Sequence, residues 1–222
     1  MTETRSIGEI LRDAADGRLT RILADNREPY DFVGTADRLF DLLEARKIDY
    51  VLVGGLAMLQ YAEGRNTLDV DLIVSPKSLS TIPEVVIATR DRDFARADFQ
   101  GIQIDFLFTA NKVFEHVRKQ QTRVVEIDGR PTPCATAQGL LILKLFALPS
   151  LYRQGESSRA AVYEADISYL LGTGEVDPER AIGTLTPHML ATDIDSLRTT
   201  LADIPARGAR FKSGIQSPES KI

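Results

Sequence analysis

Residues 51–74, VLVGGLAMLQYAEGRNTLDVDLIV, constrain the fold of this chain more than any other stretch. Tyr50 to Val53 is apolar and of strand length, and it runs straight into Gly54-Gly55. Leu56 to Ala62 reads as a helix closed near Gly64. A second apolar strand, Val70 to Val74, carries Asp69 and Asp71 at its start. Paired glycines let the backbone approach a ligand closely, and amides at a helix start favour phosphate oxygens. An ordinary tight turn uses the same dipeptide, so Gly54-Gly55 alone does not choose between the two.

Side chains alternate along a strand, which puts Asp69 and Asp71 on one face and Val70 on the other. Two adjacent carboxylates repel unless cations neutralise them, and magnesium prefers oxygen ligands. A solvated strand end is the alternative for Asp-x-Asp by itself. Asp105 adds a third carboxylate inside the apolar run Ile102–Phe108. An unpaired charge there is costly to bury, so Asp105 needs a cation, a donor or an edge position. Pairing of the two strands would gather all three carboxylates, the layout of a two-metal phosphoryl-transfer site with ions about 3.5–4 Å apart.

Elsewhere the pattern alternates helix and strand. Helices are expected at Ile7–Ala15, at Thr35–Lys47 with Thr35 as N-cap, at Pro83–Ala88 and at Asn111–Gln120. Asp128-Gly129 predicts a hairpin between Val124–Ile127 and the residues after Arg130. From Thr136 the chain reads as helical, over Gln138–Leu148, Arg159–Leu171 and Pro187–Leu201, with a loop at Pro149–Ser158. The expected class is α/β (α+β), a mixed sheet with helices followed by a helical C-terminal part.

Composition excludes several classes. A net charge of −5 over 222 residues argues against non-specific wrapping of nucleic acid. Two basic clusters, Arg118/Lys119/Arg123 and Arg207/Arg210/Lys212, read as solvated surface. The single cysteine, Cys134, excludes an intrachain disulfide and suits a reducing cytoplasm; it reads as a core thiol. His116 and His188 are too few for a zinc site. Met1–Ile10 lacks the apolar stretch of a signal peptide, and the most apolar run, Leu140–Leu148, is too short to span a bilayer.

Two charges interrupt apolar helix faces in the C-terminal part. Lys144 has Leu140, Leu141, Ala147 and Leu148 as its i±3 and i±4 neighbours, and Asp166 has Val162, Tyr163, Tyr169 and Leu170. Either the two charges pair with each other, or they face a cleft holding a charged ligand.

The succession of strand, Gly54-Gly55, helix, Asp69-Val70-Asp71 and then Asp105 on a later strand resembles the DNA polymerase beta-like nucleotidyltransferase superfamily over Ile48–Thr109. Gly-Gly where many members have Gly-Ser suits the subset of AbiEii-like and MenT-like toxins. The resemblance implies a twisted mixed sheet flanked by helices, with Asp69 and Asp71 ligating two magnesium ions and Asp105 completing the inner site. It also implies that Lys144 contacts the triphosphate and that Asp166 orients Lys144 or contacts the nucleotide. Arg65, just ahead of Asp69, reads either as a solvated loop arginine or as a further phosphate contact beside Gly54 and Gly55. On this reading residues 1–134 form the nucleotidyltransferase core with N-terminal helices, and 135–222 form a helical part packed on it.

The implied activity is transfer of a nucleoside monophosphate from a nucleoside triphosphate to a hydroxyl of RNA, a tRNA end among the candidates, or of a protein. A toxin of this kind would have a cognate antitoxin. The alternatives are a non-catalytic nucleotide-binding member of the same fold, and an antitoxin-type or small-molecule (antibiotic) nucleotidyltransferase.

Overall fold

The computed structural model describes residues 31–62, 67–127 and 129–212, without the side chains of 205–212. It divides into two compact units, residues 1–140 and 141–222. The helix expected at Ile7–Ala15 and the closing Gly64 lie outside the described residues.

The first unit is built on a seven-stranded mixed sheet. Helix α1 (Phe32–Ala45) precedes it and presents Phe32, Ala36, Leu39, Phe40 and Leu43 as its buried stripe. Its N-cap is Asp31, whose side chain accepts from the Gly34 amide at 2.9 Å, and Thr35 instead lies buried inside the helix. Asp is as good an N-cap as Thr and sits ahead of the first apolar residue of the stripe.

Strand β1 (Tyr50–Val53) is followed by α2 (Gly54–Met58), then β2 (Asp69–Val74). Next come β3 (Val86–Arg90), β4 (Phe94–Phe99) and β5 (Ile102–Phe108). Helix α3 (Lys112–Gln120) leads into a hairpin of β6 (Thr122–Ile127) and β7 (Arg130–Ala135). The strand order is β3-β4-β5-β2-β1-β7-β6. Most neighbours are antiparallel, but β2 with β5 and β1 with β7 are parallel.

The helix expected at Pro83–Ala88 is not formed. A 3-10 turn at Ser78–Thr81 leads into the edge strand β3, all of whose residues are exposed. An exposed edge strand buries neither face, so it has no period-two pattern to be read.

The central strands make the core. Val70, Leu72, Ile104 and Phe106 are completely buried, each such apolar side chain stabilising by about 1.5–3 kcal/mol relative to exposure. Helix α3 is capped by Asn111, which accepts from the Val113 amide, and packs Val113, Phe114 and Val117 inward.

The boundary between the units falls inside α4 (Ala137–Arg153). Helices α5 (Ser157–Gly172), α6 (Pro178–Leu185) and α7 (Ala191–Lys212) follow. The loop expected at Pro149–Ser158 shrinks to three residues, because Pro149 stands inside the last turns of α4. Helix α6 was not expected. It begins with Asp177, which caps the Arg180 amide at 3.0 Å, and Pro178 at its first turn. The helix expected at Pro187–Leu201 is instead a 3-10 turn at Thr186–His188 followed by α7. Among the described residues no helix is long and apolar enough to cross a membrane.

Candidate active site

The parallel pairing of β2 with β5 decides the geometry. Its register sets Asp71 directly beside Asp105 and Asp69 beside Gln103. One carboxylate oxygen from each of Asp69, Asp71 and Asp105 lies within 4.8 Å of the others. All three side chains are half-buried, at the outer end of a face that Ile73 and Leu107 continue into the core. Three oxygen donors at this spacing could form a metal site, and their hardness and mutual repulsion suit a divalent cation such as magnesium.

The chain fixes each carboxylate locally. Thr67 is buried and donates its hydroxyl to Asp69 Oδ1 at 2.7 Å. The Gly55 amide donates to Asp71 Oδ2 at 3.2 Å. Val53 pairs with Asp71 across the β1–β2 ladder, so the turn after Val53 falls against the Asp71 side chain. There Gly54 takes φ +62°, and a Cβ on it would stand 1.8 Å from Asp71 Oδ2. A Cβ on Gly55 would stand 2.2 Å from Thr67 Oγ1.

The glycine pair therefore admits the acidic strand and its supporting threonine. The Gly55 amide, expected to face phosphate, is given to Asp71, and α2 is only five residues long. Thr67 stands two residues ahead of Asp69, just before β2 begins, and that i−2 spacing was the signal available for it in the sequence.

Sequence reasoning missed Arg96. It stands opposite Asp105 across the antiparallel β4–β5 ladder. Its Nε and one terminal nitrogen donate to the two Asp105 oxygens, both at 2.8 Å, a bidentate pair. These hydrogen bonds raise the Arg96 pKa against the opposing effect of partial burial, and the charges of Asp105, Asp69 and Asp71 add to the rise. The cation that Asp105 requires inside an apolar run is thus supplied by the neighbouring strand. No strand was expected over Phe94–Phe99, whose buried residues between the phenylalanines are only Ala95 and Ala97.

The second unit brings Lys144 and Asp166 together. Nζ of Lys144 lies 3.0 Å from Asp166 Oδ2, with the side chains 5% and 4% exposed. The same ammonium sits 3.9 Å from the centroid of the Tyr163 ring. The two helical charges therefore meet in an ion pair between α4 and α5. Arg65 lies outside the described residues.

Other candidates reduce to structure. Arg118 is bound by Glu115 and Asp49, and Lys119 by Glu115. Arg123 bonds Gln60 and overlies Tyr61. Cys134 is fully buried, and burial pushes its thiol up to about 12, which keeps it protonated and unsuited to nucleophilic attack.

No protein-family profile matches the chain, and no curated protein matches it in sequence. Among solved structures, it is similar to an antigenic nucleotidyltransferase-like protein from Paracoccidioides brasiliensis, at 15% identity and a TM-score of 0.47, covering 79% of this chain and 88% of that one. It is also similar to the antibiotic-resistance factor ANT(2'')-Ia in solution, at 13% identity and a TM-score of 0.47, over 82% and 95% of the two chains. The crystal structure of ANT(2'')-Ia with adenylyl-2''-tobramycin matches at 11% identity and a TM-score of 0.43, over 78% and 95%. At such identities and scores the function of this chain has to be argued from its own residues.

Proposed function

We propose that the protein is a metal-dependent nucleotidyltransferase that moves a nucleoside monophosphate from a nucleoside triphosphate to a hydroxyl acceptor. One observation carries the reading: Asp69 and Asp71, read in the sequence as one pair, and Asp105, read from a later strand, each place an oxygen within 4.8 Å of the others. An ordinary folded sheet gains nothing from crowding three carboxylates on one face, whereas a polyphosphate held by dications requires such a cluster.

Asp69 and Asp71 would hold a pair of magnesium ions and Asp105 would complete one of the two sites. Bound there, the ions would offset the phosphate charge and polarise the reacting phosphorus. The protein's own part is positioning. Thr67 and the Gly55 amide fix the rotamers of Asp69 and Asp71, so the carboxylates need little rearrangement when substrate arrives. Asp105, once free of Arg96, would help deprotonate the acceptor hydroxyl.

For the acceptor we favour a hydroxyl of RNA, a tRNA end included, or of a protein, in the manner of the AbiEii-like and MenT-like toxins that the Gly54-Gly55 and Asp69-Val70-Asp71 motifs resemble. A cognate antitoxin belongs to that reading, as does a contribution of Lys144 and Asp166 to nucleotide handling. A second reading, a nucleotide-binding protein without transferase activity, is favoured by the commitment of both Asp105 oxygens to Arg96.

The test incubates the protein with magnesium, each α-labelled nucleoside triphosphate and total cell extract, alongside the Asp69→Ala/Asp71→Ala double variant. Label should pass to a macromolecule with the wild type and not with the double variant, whose circular dichroism and melting should remain those of a folded protein. Equal labelling by both proteins would eliminate the site. Nucleotide binding without labelling would select the second reading.

A further inference from the structure

Arg96, Asp105 and Asp71 form a single row across three strands, since Arg96 pairs in register with Asp105 and Asp105 with Asp71. Residues in register on adjacent strands share a face, so the guanidinium occupies the same side of the sheet as the carboxylates. Its fork uses both oxygens of Asp105, and the Asp105 side chain is 18% exposed while that of Arg96 is 46% exposed. The partly covered acid is thus held by a cation that retains an open route to solvent.

This arrangement bears on cation binding, and the inference rests on the metal-site reading given above. A dication that takes an oxygen of Asp105 must share that carboxylate with a guanidinium only one ligand away. Like charges a few ångströms apart repel, and here the positive group ends a long, half-exposed side chain on β4 whereas Asp71 and Asp105 stand on the central strands β2 and β5. We propose that Arg96 competes with divalent cations for Asp105, so that loading of the three carboxylates requires the guanidinium to withdraw.

Arg96 is therefore a positioning residue, acting through Asp105. In the cation-free protein it holds Asp105 in a set rotamer and offsets part of the charge of the cluster. On withdrawal its fork is left beside the site with a geometry that matches phosphate oxygens. Besides Asp105, its same-face neighbours on the sheet are Thr89, opposite it on β3, and Phe94 and Asp98, two residues before and after it on β4. Asp98 already accepts from the Gly101 amide, at 3.1 Å.

The experiment is a calorimetric titration with magnesium, and separately with manganese, of the full-length wild type, Arg96→Gln and Arg96→Lys at one ionic strength. Because the pair is partly exposed, its removal should tighten cation binding by only about twofold to fivefold. Arg96→Lys, which keeps the charge and loses the fork, should fall between the other two. Melting curves establish that each variant is folded, and Arg96→Lys keeps the comparison available should Arg96→Gln fail to fold.

A second readout needs no variant. The side-chain Nε–H resonance of Arg96 in the wild type should be protected from solvent exchange without magnesium and lose that protection at saturation. Unchanged affinity in Arg96→Gln, or a protected resonance at saturating magnesium, overturns the competition. If the wild type binds the cations and Asp69→Asn abolishes binding, such a result leaves the metal site standing. Failure of both cations to bind either wild type or Arg96→Gln overturns the metal site and the competition together.

Discussion

Gly54 and Asp71 are in contact in a way that no other residue at position 54 could reproduce. The glycine has φ +62°, and a Cβ built on it overlaps Asp71 Oδ2 at 1.8 Å. The sequence pairs these residues only at a distance, but the β1–β2 ladder makes them neighbours. A backbone turn and a candidate ligand are therefore a single structural unit.

Gly54→Ala should displace the Asp71 carboxylate as well as strain the turn. Gly129→Ala is its natural control, with φ +78° but nothing within 4 Å of the added Cβ. The positive φ should cost about 1–2 kcal/mol in each variant. Only Gly54→Ala should also lose cation binding and label transfer, by at least about tenfold for a misplaced ligand. Chemical denaturation and calorimetry on the two variants check this; equal cation affinity in both would refute the link between the turn and the acid.

Lys144 and Asp166 make a separate prediction in the second unit. Lys144→Met leaves the Asp166 carboxylate buried without the ammonium that faces it, and should destabilise by about 3–5 kcal/mol. Lys144→Met with Asp166→Leu removes both charges and should recover most of that loss. Thermal melts measure the recovery. Label transfer by the refolded double variant then assigns the pair: retained transfer makes it a core contact, and lost transfer at restored stability makes it part of nucleotide handling.

A pH prediction comes from Glu115. Hydrogen bonds from Arg118 lower its pKa from 4.5 to about 2, with Lys119 assisting against partial desolvation. A carboxylate whose folded pKa lies below its unfolded value stabilises fully above the unfolded value and loses that contribution as pH falls toward the folded one. Glu115→Gln should thus be less stable than wild type at pH 7, and the gap should close between about pH 4.5 and 2. Solvent screening limits it to about 0.5–1 kcal/mol. Urea midpoints across that window provide the measurement, and a gap independent of pH would contradict the assignment.

The parts of the fold legible in the sequence are those where burial is nearly complete. Strands β1, β2 and β5 are apolar runs in which Asp69, Asp71 and Asp105 stand out as exceptions, so the runs marked the strands and the exceptions marked the site. Where burial is partial, the signal fades. Strand β3 exposes every residue and β4 buries only Ala95, Ala97 and the terminal Phe99, so the sheet edge that carries Arg96 left little hydrophobic trace. The partner of Asp105 was invisible for that reason, although the need for a partner was not.

Helix ends were misread for a different reason. Asp31 and Asp177 cap α1 and α6 with side-chain bonds that compete with neighbouring polar residues of similar propensity. Pro149 was taken as a break, yet it lies inside α4 close to the C-terminal end. Thr67 needed only the rule of alternation applied two residues upstream of Asp69.

The β2–β5 pairing also bears on how the molecule is made. Asp71 and Asp105 become neighbours only when two strands separated by the whole β3–β4 hairpin align side by side, a parallel contact that closes a long loop. Local helices and hairpins can form early, but cation affinity cannot appear until that alignment is complete. During refolding, recovery of cation affinity would therefore time the closure of the central sheet, later than the return of helical signal.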